Sequence, residues 1–203
     1  MGKKCTLYKY ISINNHSCEI LENKRLYCSR YSDLNDPFEM LNCENQYLDS
    51  VRIVSLTNSY LKKLMWAHYA DSHKGACLTI ELEEADVTPV VYTSKRFLKE
   101  EDFASIIDGG LIKNKRNITL KIPDGDVKVA VLKDKKWNDE LEYRIIINTK
   151  DSNNLNEKGI IESETKFFYN NFKIKSITLG NCFNKNKKEN IERFLLAIKN
   201  LGI

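Results

Sequence analysis

The sequence predicts an α+β fold with a mainly antiparallel sheet and flanking helices. Segments typical of strands mix with segments typical of helices, without the regular strand–helix–strand order of doubly wound folds. The chain has 203 residues, of which 42% are hydrophobic and 30% charged. Because such a chain is long enough to bury a core, residues 1–203 are expected to form a single domain.

The N-terminal part of the chain predicts strands and helices in turn. Residues 6–12 have the composition of a short strand. Residues 14–24 carry capping residues and apolar side chains spaced for a helix. Residues 25–30 alternate apolar and polar side chains, as a half-buried strand does. The sequence DPFE at 36–39 is typical of a helix start, and residues 51–57 predict a further strand.

A helix and a strand are expected to meet near residue 75. Apolar side chains recur at helical spacing in residues 59–70, and Gly75 is expected to end that unit with a positive φ. Residues 76–82 then alternate as a strand. A short strand, a helix over 97–107 and a loop-rich stretch follow, and residues 105–128 are a candidate mobile insert.

The C-terminal part predicts two strands and a closing helix. Residues 140–148 are rich in β-branched side chains and form the strongest strand of the chain. Residues 174–180 predict another strand. Residues 187–203 predict an amphipathic helix, whose packing side is expected to carry Ile191, Phe194, Leu195, Ile198 and Leu201.

The composition indicates a cytoplasmic protein. No stretch approaches the roughly 20 apolar residues of a membrane span, and the polar N-terminus has no apolar signal core, so no membrane partner is expected. Six cysteines without a C-x-x-C pair indicate reduced thiols, and no metal is expected. The net charge of +4 is mild; it suits an anionic ligand or simply a solvated surface.

Glu140, Glu142 and Arg144 are expected to project from one face of the strand over 140–148, because side chains two apart share a face. A carboxylate on an apolar strand is costly to bury without a partner. The partner is either Arg144 or a hydroxyl group of a ligand. The alternative is a surface Glu–Arg pair that contributes less than about 1 kcal/mol.

The stretch 64–78 (LMWAHYADSHKGACL) concentrates polar and aromatic side chains between a helix and a strand. His68 and His73 are suited to general acid or base chemistry near neutral pH. Their spacing of five residues is not that of a helical zinc pair. Two interpretations stay open, a functional site and a polar corner in which Trp66 fills the core.

Several motifs occur in an order that resembles a known bacterial family. They are Tyr8-Lys9-Tyr10, Leu26-Tyr27-Cys28-Ser29, Asn35-Asp36-Pro37-Phe38, MWAHYADSHKG at 65–75, Trp137-x-x-Glu140-x-Glu142-Tyr143-Arg144 and Ile177-x-Leu179-Gly180. Over about residues 7–200 the chain resembles the bacterial domain-of-unknown-function family 2971. Some members lie near mobile elements and anti-phage genes, so the resemblance implies anti-phage defence or toxicity.

The order of the elements also resembles the ADP-ribosyltransferase fold, in which a split sheet holds NAD in a cleft. This resemblance implies NAD as the substrate and a glutamate, Glu142 or Glu140, that hydrogen-bonds the ribose. It places Tyr8 or Lys9 at the nicotinamide ribose and Tyr27 on the nicotinamide ring. The first strand lacks His-Gly-Thr or Arg and the middle strand lacks Ser-Thr-Ser. These departures leave open a cleft that binds another nucleotide or has lost catalysis.

The first hypothesis is therefore a cytoplasmic nucleotide-binding effector that uses NAD. Glu142 would stabilise the ribosyl cation, and Lys9 would contact phosphate or ribose. His68 and His73 would line the cleft or receive the acceptor, which is a protein or a nucleic acid. Asn35, Tyr69 and Arg144 are the further candidates for nucleotide binding.

Two alternatives stay open. One is a non-catalytic module that binds nucleic acid or senses nucleotides, because residues 166–188 interleave Lys with Phe, Tyr and Asn. The other is a metal-dependent nuclease, which would need clustered carboxylates. Asp33, Asp36 and Glu39 offer such a cluster only loosely.

Overall fold

The computed structural model describes residues 2–30, 33–35, 50–94, 131–150, 155, 158–163, 165–185 and 188–203. Three predictions lie outside these residues: the helix start at Asp36, the helix over 97–107 and the mobile insert over 105–128.

The strands are β1 (Lys4–Ile11), β2 (Leu26–Tyr27), β3 (Ser29–Arg30), β4 (Val51–Thr57), β5 (Ala76–Glu83), β6 (Thr88–Pro89), β7 (Val91–Thr93), β8 (Leu132–Asp134), β9 (Glu142–Asn148), β10 (Ile160–Ser163), β11 (Lys166–Tyr169) and β12 (Phe172–Leu179). The α-helices are α1 (Asn15–Asn23), α2 (Lys63–Tyr69) and α3 (Lys188–Leu201), and short 3₁₀ helices cover Glu84–Asp86, Lys135–Glu140 and Phe183–Lys185.

The largest sheet has the strand order β12-β5-β1-β4-β9-β6, with β3 paired to one end of β4. All pairs in this sheet are antiparallel, and β10, β11 and β2 form a second antiparallel sheet. Only β7 and β8, among the strands described, pair in parallel. The predicted α+β fold with a mainly antiparallel sheet is confirmed.

Helix α1 forms where the sequence predicts it. The Asn14 side chain accepts a hydrogen bond from the Ser17 backbone N–H, and the Ser17 hydroxyl accepts one from the Asn14 N–H. Such reciprocal capping satisfies backbone donors that the first helical turn leaves without partners. Cys18 and Leu21 are buried in the core, as their spacing predicts.

Residues 25–30 form two short strands, and the prediction of one continuous strand was wrong. Strand β2 pairs with β11 in the second sheet, whereas β3 pairs with β4 in the first. Cys28 lies between them, fully buried, and its backbone N–H donates to the Phe167 carbonyl. Leu26 and Cys28 are buried, whereas Tyr27 is exposed and Ser29 partly exposed, so the predicted alternation holds up to Ser29 although the pairing partner changes.

The corner after α2 has a different backbone from the one predicted. Asp71, Ser72 and His73 have positive φ, whereas Gly75 does not. A Cβ at Gly75 would lie 2.1 Å from the Ile11 carbonyl oxygen. The glycine is therefore needed for close approach to β1, and the prediction that it supplies a positive φ was wrong.

The last helix packs against the core through one face. Phe194 and Ala197 are buried, and Ile198 and Leu201 pack against the same core. The prediction that Leu195 shares this face was wrong, because its side chain is 44% exposed. Each helical residue rotates the side-chain direction by about 100°, and Leu195 therefore lies one step away from the stripe through Phe194, Ala197, Ile198 and Leu201.

We expect Phe194→Ala to lower the free energy of unfolding by about 3 to 5 kcal/mol, because it leaves a cavity beneath α3. Leu196→Ala is the matched control, since Leu196 is on the same helix but 58% exposed. It should change the stability by less than about 0.5 kcal/mol. Urea titration of both variants measures the difference, and similar losses in the two would contradict this packing of α3.

Candidate functional site

A cavity lies where β1 and β4 separate. The two strands pair only at Tyr8 and Thr57, and the other end of β4 pairs with β3 instead. The cavity has a volume of about 90 Å³. It is lined by Tyr8, Lys9, Tyr10, Leu34, Asn35, Ser55, Leu56, Thr57, Met65, Tyr69, Lys133, Glu140, Glu142 and Arg144. This opening of the sheet is the candidate functional site.

Two carboxylates at the cavity share one lysine. The Lys133 ammonium lies 2.6 Å from Glu140 Oε2 and 2.9 Å from Glu142 Oε2. All three side chains are buried. Lys133 reaches them from β8, and it also lies over the Trp137 ring at 5.1 Å from the ring centre. Lys133 therefore ties the two glutamates into one charged cluster.

Arg144 neutralises the second carboxylate from the same strand. Its Nε lies 2.8 Å from Glu142 Oε1, and its Nη2 lies 3.1 Å from Oε2. Burial by itself raises the pKa of Glu142, but Arg144, Lys133 and a hydrogen bond from Ser55 outweigh it and lower the pKa to about 2. Glu142 is thus ionised under all ordinary conditions.

The backbone holds the two glutamates in place. Glu140 ends a 3₁₀ helix and Leu141 has a positive φ of 48°, so β9 begins only at Glu142. The Thr57 hydroxyl donates to the Glu140 carbonyl at 2.7 Å. The Glu142 N–H donates to the Tyr92 hydroxyl at 2.8 Å. The sequence predicted a strand over 140–148, and its start was wrong because β9 begins at Glu142. Glu140, Glu142 and Arg144 nevertheless all line the cavity.

Tyr69 connects the cluster to the more open side of the cavity. Its hydroxyl donates to Glu140 Oε1 at 2.6 Å and accepts a hydrogen bond from Asn35 Nδ2 at 3.4 Å. Burial and the Glu140 carboxylate raise the pKa of Tyr69 to about 12. The phenol therefore keeps its proton near neutral pH and donates it in the hydrogen bond to Glu140.

Lys9 crosses the gap between the separating strands. Its ammonium donates to the Ser55 carbonyl oxygen at 2.9 Å. Burial lowers the pKa of Lys9, and the nearby Glu142 charge opposes that effect only in part. Lys9 thus brings a basic amine to the cavity, and its printed hydrogen bond among the described residues is to a backbone carbonyl.

The cavity has a buried floor and more accessible walls. Glu140, Glu142, Arg144 and Lys133 are buried, whereas Tyr8, Lys9, Ser55 and Tyr69 are partly exposed and Asn35 is exposed. A ligand that enters would meet the side chains in this second group first. The buried charges would act on it mainly through the electric field of the cluster.

The structure brings together seven of the ten residues that the sequence suggests for the site. Tyr8, Lys9, Asn35, Tyr69, Glu140, Glu142 and Arg144 line the cavity. Tyr27, His68 and His73 are not among the lining residues. Tyr27 is on β2 in the second sheet, where its ring contacts Phe168 edge-on.

The two histidines belong to the corner after α2. His68 is exposed, and its ring contacts the neighbouring Tyr69 ring. The His73 ring stacks on Trp66, and its backbone carbonyl accepts a hydrogen bond from the Cys182 N–H. Trp66 itself is only partly buried, but it packs against the small hydrophobic cluster that contains Tyr10 and Met65.

Lys133, Ser55 and Thr57 line the cavity but were not suggested by the sequence. Lys133 lies close in sequence to Lys135 and Lys136, and a run of lysines is usually exposed to solvent. One signal could have pointed to it. Two buried carboxylates with Arg144 as their only recognised partner require a second cation.

The described residues offer neither a metal cluster nor a membrane-spanning helix. Within them, no three His, Cys, Asp or Glu side chains cluster in a way that could hold a metal ion. None of the described helices has the length and apolar character needed to cross a membrane.

Residues 65–199 match the family model described as "Protein of unknown function (DUF2971)". The chain belongs to this family. The matched part of this DUF2971 protein contains Tyr69, Lys133, Glu140, Glu142 and Arg144, so the charged cluster lies within the family domain. The match begins at residue 65, whereas the resemblance noted from the sequence motifs began at about residue 7. No curated protein and no solved structure matches the chain.

We expect Lys133→Met to lower the free energy of unfolding by about 3 to 5 kcal/mol, because it removes the cation that the two buried carboxylates share. Lys3→Met is the matched control. Lys3 is 81% exposed and pairs with Glu84 at the surface, so its loss should cost less than about 1 kcal/mol. Urea unfolding at pH 7 measures both variants. Equal effects would contradict a buried, shared lysine.

The lowered pKa of Glu142 predicts acid sensitivity. Its carboxyl titrates near 4.5 when unfolded and near 2 when folded. Between these values the unfolded chain binds the proton and the folded chain does not, so acid favours unfolding. This group should contribute a slope of about 1.4 kcal/mol per pH unit in that window. Glu142→Gln should lose this part of the slope in urea titrations from pH 5 to 2.5, and parallel curves would contradict the assignment.

Proposed function

We propose that the cavity between β1 and β4 binds NAD or a related nucleotide and cleaves its nicotinamide–ribose bond. The observation that carries the proposal is the ionised Glu142 carboxylate, held beside a cavity whose walls also present Lys9 and Ser55. Breaking that bond develops positive charge on the ribose, and a fixed negative charge stabilises it.

The arrangement of the three strands supports this choice. Lys9 is on the first strand, Ser55 on a middle strand and Glu142 on a late strand, and all three line one cavity. Glu142 and Ser55 also share a hydrogen bond. A split sheet with a cation, a hydroxyl and a glutamate in this order is similar to the ADP-ribosyltransferase arrangement. Tyr27 has no part in it, because its ring lies in the second sheet.

The chemistry assigns different tasks to the two glutamates. The C–N bond to nicotinamide breaks, nicotinamide leaves as a neutral molecule, and the ribose carbon becomes positively charged. Glu142 stabilises that charge and keeps its own proton state. Water or an acceptor then forms the new bond to carbon. Its proton passes to the Tyr69 hydroxyl, which gives its own proton to Glu140, the carboxylate 2.6 Å away.

The charge balance of the cavity suits an anionic ligand. Lys133 and Arg144 offset Glu140 and Glu142, so Lys9 is the remaining basic side chain among the described lining residues. A phosphate beside its amine favours the protonated, positively charged form and opposes the effect of burial. Lys9 is therefore assigned to phosphate or to the adjoining ribose.

No described contact favours the nucleic-acid alternative. That alternative was based on residues 166–188. Phe167, Phe168 and Tyr169 are the aromatic residues at the start of this segment, and their side chains are buried. Buried rings are not available to stack on bases. Of the carboxylates considered for a metal-dependent nuclease, Asp36 and Glu39 lie outside the described residues.

The first experiment measures nicotinamide release from NAD by the purified protein, with and without cell lysate as a source of acceptor. We expect release by the wild type and a loss of at least about 100-fold in Glu142→Gln, since removal of one charge-stabilising group typically costs that much. Glu22→Gln is the matched control, because Glu22 makes an exposed pair with Arg193 away from the cavity.

Circular dichroism and NAD binding show whether Glu142→Gln is still folded. A folded variant that binds NAD and releases no nicotinamide supports the proposal. His68→Asn should keep full activity, because His68 is exposed and does not line the cavity. Absence of release by folded wild type, with and without lysate, would contradict NAD cleavage.

A further inference from the structure

Tyr60 presents an exposed ring beside the candidate site. It lies in the segment between β4 and α2, and 44% of the residue is exposed. Its ring centre is 5.4 Å from that of Tyr8, which lines the cavity. The two rings are tilted by 46° to one another. An aromatic surface therefore continues from the cavity wall towards solvent.

The backbone beneath Tyr60 is fixed by two other aromatic side chains. The Tyr10 hydroxyl donates to the Ser59 carbonyl at 3.0 Å, and the Trp66 Nε1–H donates to the Tyr60 carbonyl at 2.9 Å. Tyr10 and Trp66 also contact each other edge-on, with ring centres 5.1 Å apart. The exposed ring thus stands on an ordered support, which reduces the entropy that stacking on it would cost.

The cavity is too small to enclose a nucleotide. Its volume is about 90 Å³, whereas sites that enclose small-molecule ligands usually have about 300 to 1,000 Å³. A ligand that places one group beside Lys9 must leave the remainder outside. The Tyr60 ring extends the aromatic wall outward from Tyr8, which lines the cavity.

We propose that Tyr60 is a stacking platform for a flat heteroaromatic ring of the ligand, whose sugar or phosphate enters the cavity towards Lys9. The ligand class is a nucleotide with its base held outside the sheet. The identity of the ligand as a nucleotide rests on the proposed function, but the platform itself needs no cleavage of NAD.

The test compares two anions, one with a base and one without. Binding of AMP and of ribose 5-phosphate to wild type, Tyr60→Ala, Tyr60→Trp and Tyr27→Ala is measured by isothermal titration calorimetry. Tyr27→Ala is the matched control, because Tyr27 is 43% exposed but lies in the second sheet. Thermal unfolding confirms that each variant is folded.

We expect Tyr60→Ala to weaken AMP roughly 5- to 100-fold, the range for loss of one base-stacking contact. Ribose 5-phosphate should bind Tyr60→Ala and wild type equally, and Tyr60→Trp should keep AMP binding. Equal AMP affinity in Tyr60→Ala and wild type, an equal loss for both anions, or no AMP binding by wild type would each overturn the platform.

These outcomes separate the platform from NAD cleavage. AMP binding that depends on Tyr60, without nicotinamide release, supports the platform and contradicts the proposed reaction. Nicotinamide release in a protein whose AMP affinity is independent of Tyr60 overturns the platform alone.

Discussion

The structure around the cavity depends on the burial of two carboxylates side by side. Glu140 and Glu142 would repel each other and lose hydration if they stood alone, at a cost that a marginally stable domain cannot absorb. Lys133 and Arg144 remove that penalty through contacts of 2.6 to 3.1 Å. The ion pair between Lys133 and Glu142 thereby connects β8 to β9.

The same cluster keeps Glu142 ionised. Glu142 keeps its charge because two cations and a hydroxyl stabilise it against the effect of burial. A permanently ionised carboxylate suits electrostatic stabilisation of a cation better than proton donation. Tyr69 adds the complementary property, because its raised pKa keeps a proton available next to Glu140. Stability and the proposed chemistry therefore use the same contacts.

The opening of the sheet supplies the space for a ligand. Strand β4 pairs along its whole length with β9 but divides its other edge between β1 and β3. A continuous pairing with β1 would close the gap that Lys9 now crosses to reach Ser55. The cavity exists because β1 and β4 are paired over only part of their length. The side chains that face the unpaired part are the ones that could contact a ligand.

The sequence by itself determined most local structure, namely the capped helix α1, the strand β4 and the common face of Glu142 and Arg144, because alternation and capping act between residues close in the chain. It also suggested Glu140, although its orientation comes from a 3₁₀ helix. Only the tertiary structure decided that Lys133 completes the cluster, that Tyr27 lies in another sheet and that His68 and His73 lie outside the cavity. These facts depend on which distant strands pair, and a local side-chain pattern is the same for every possible partner.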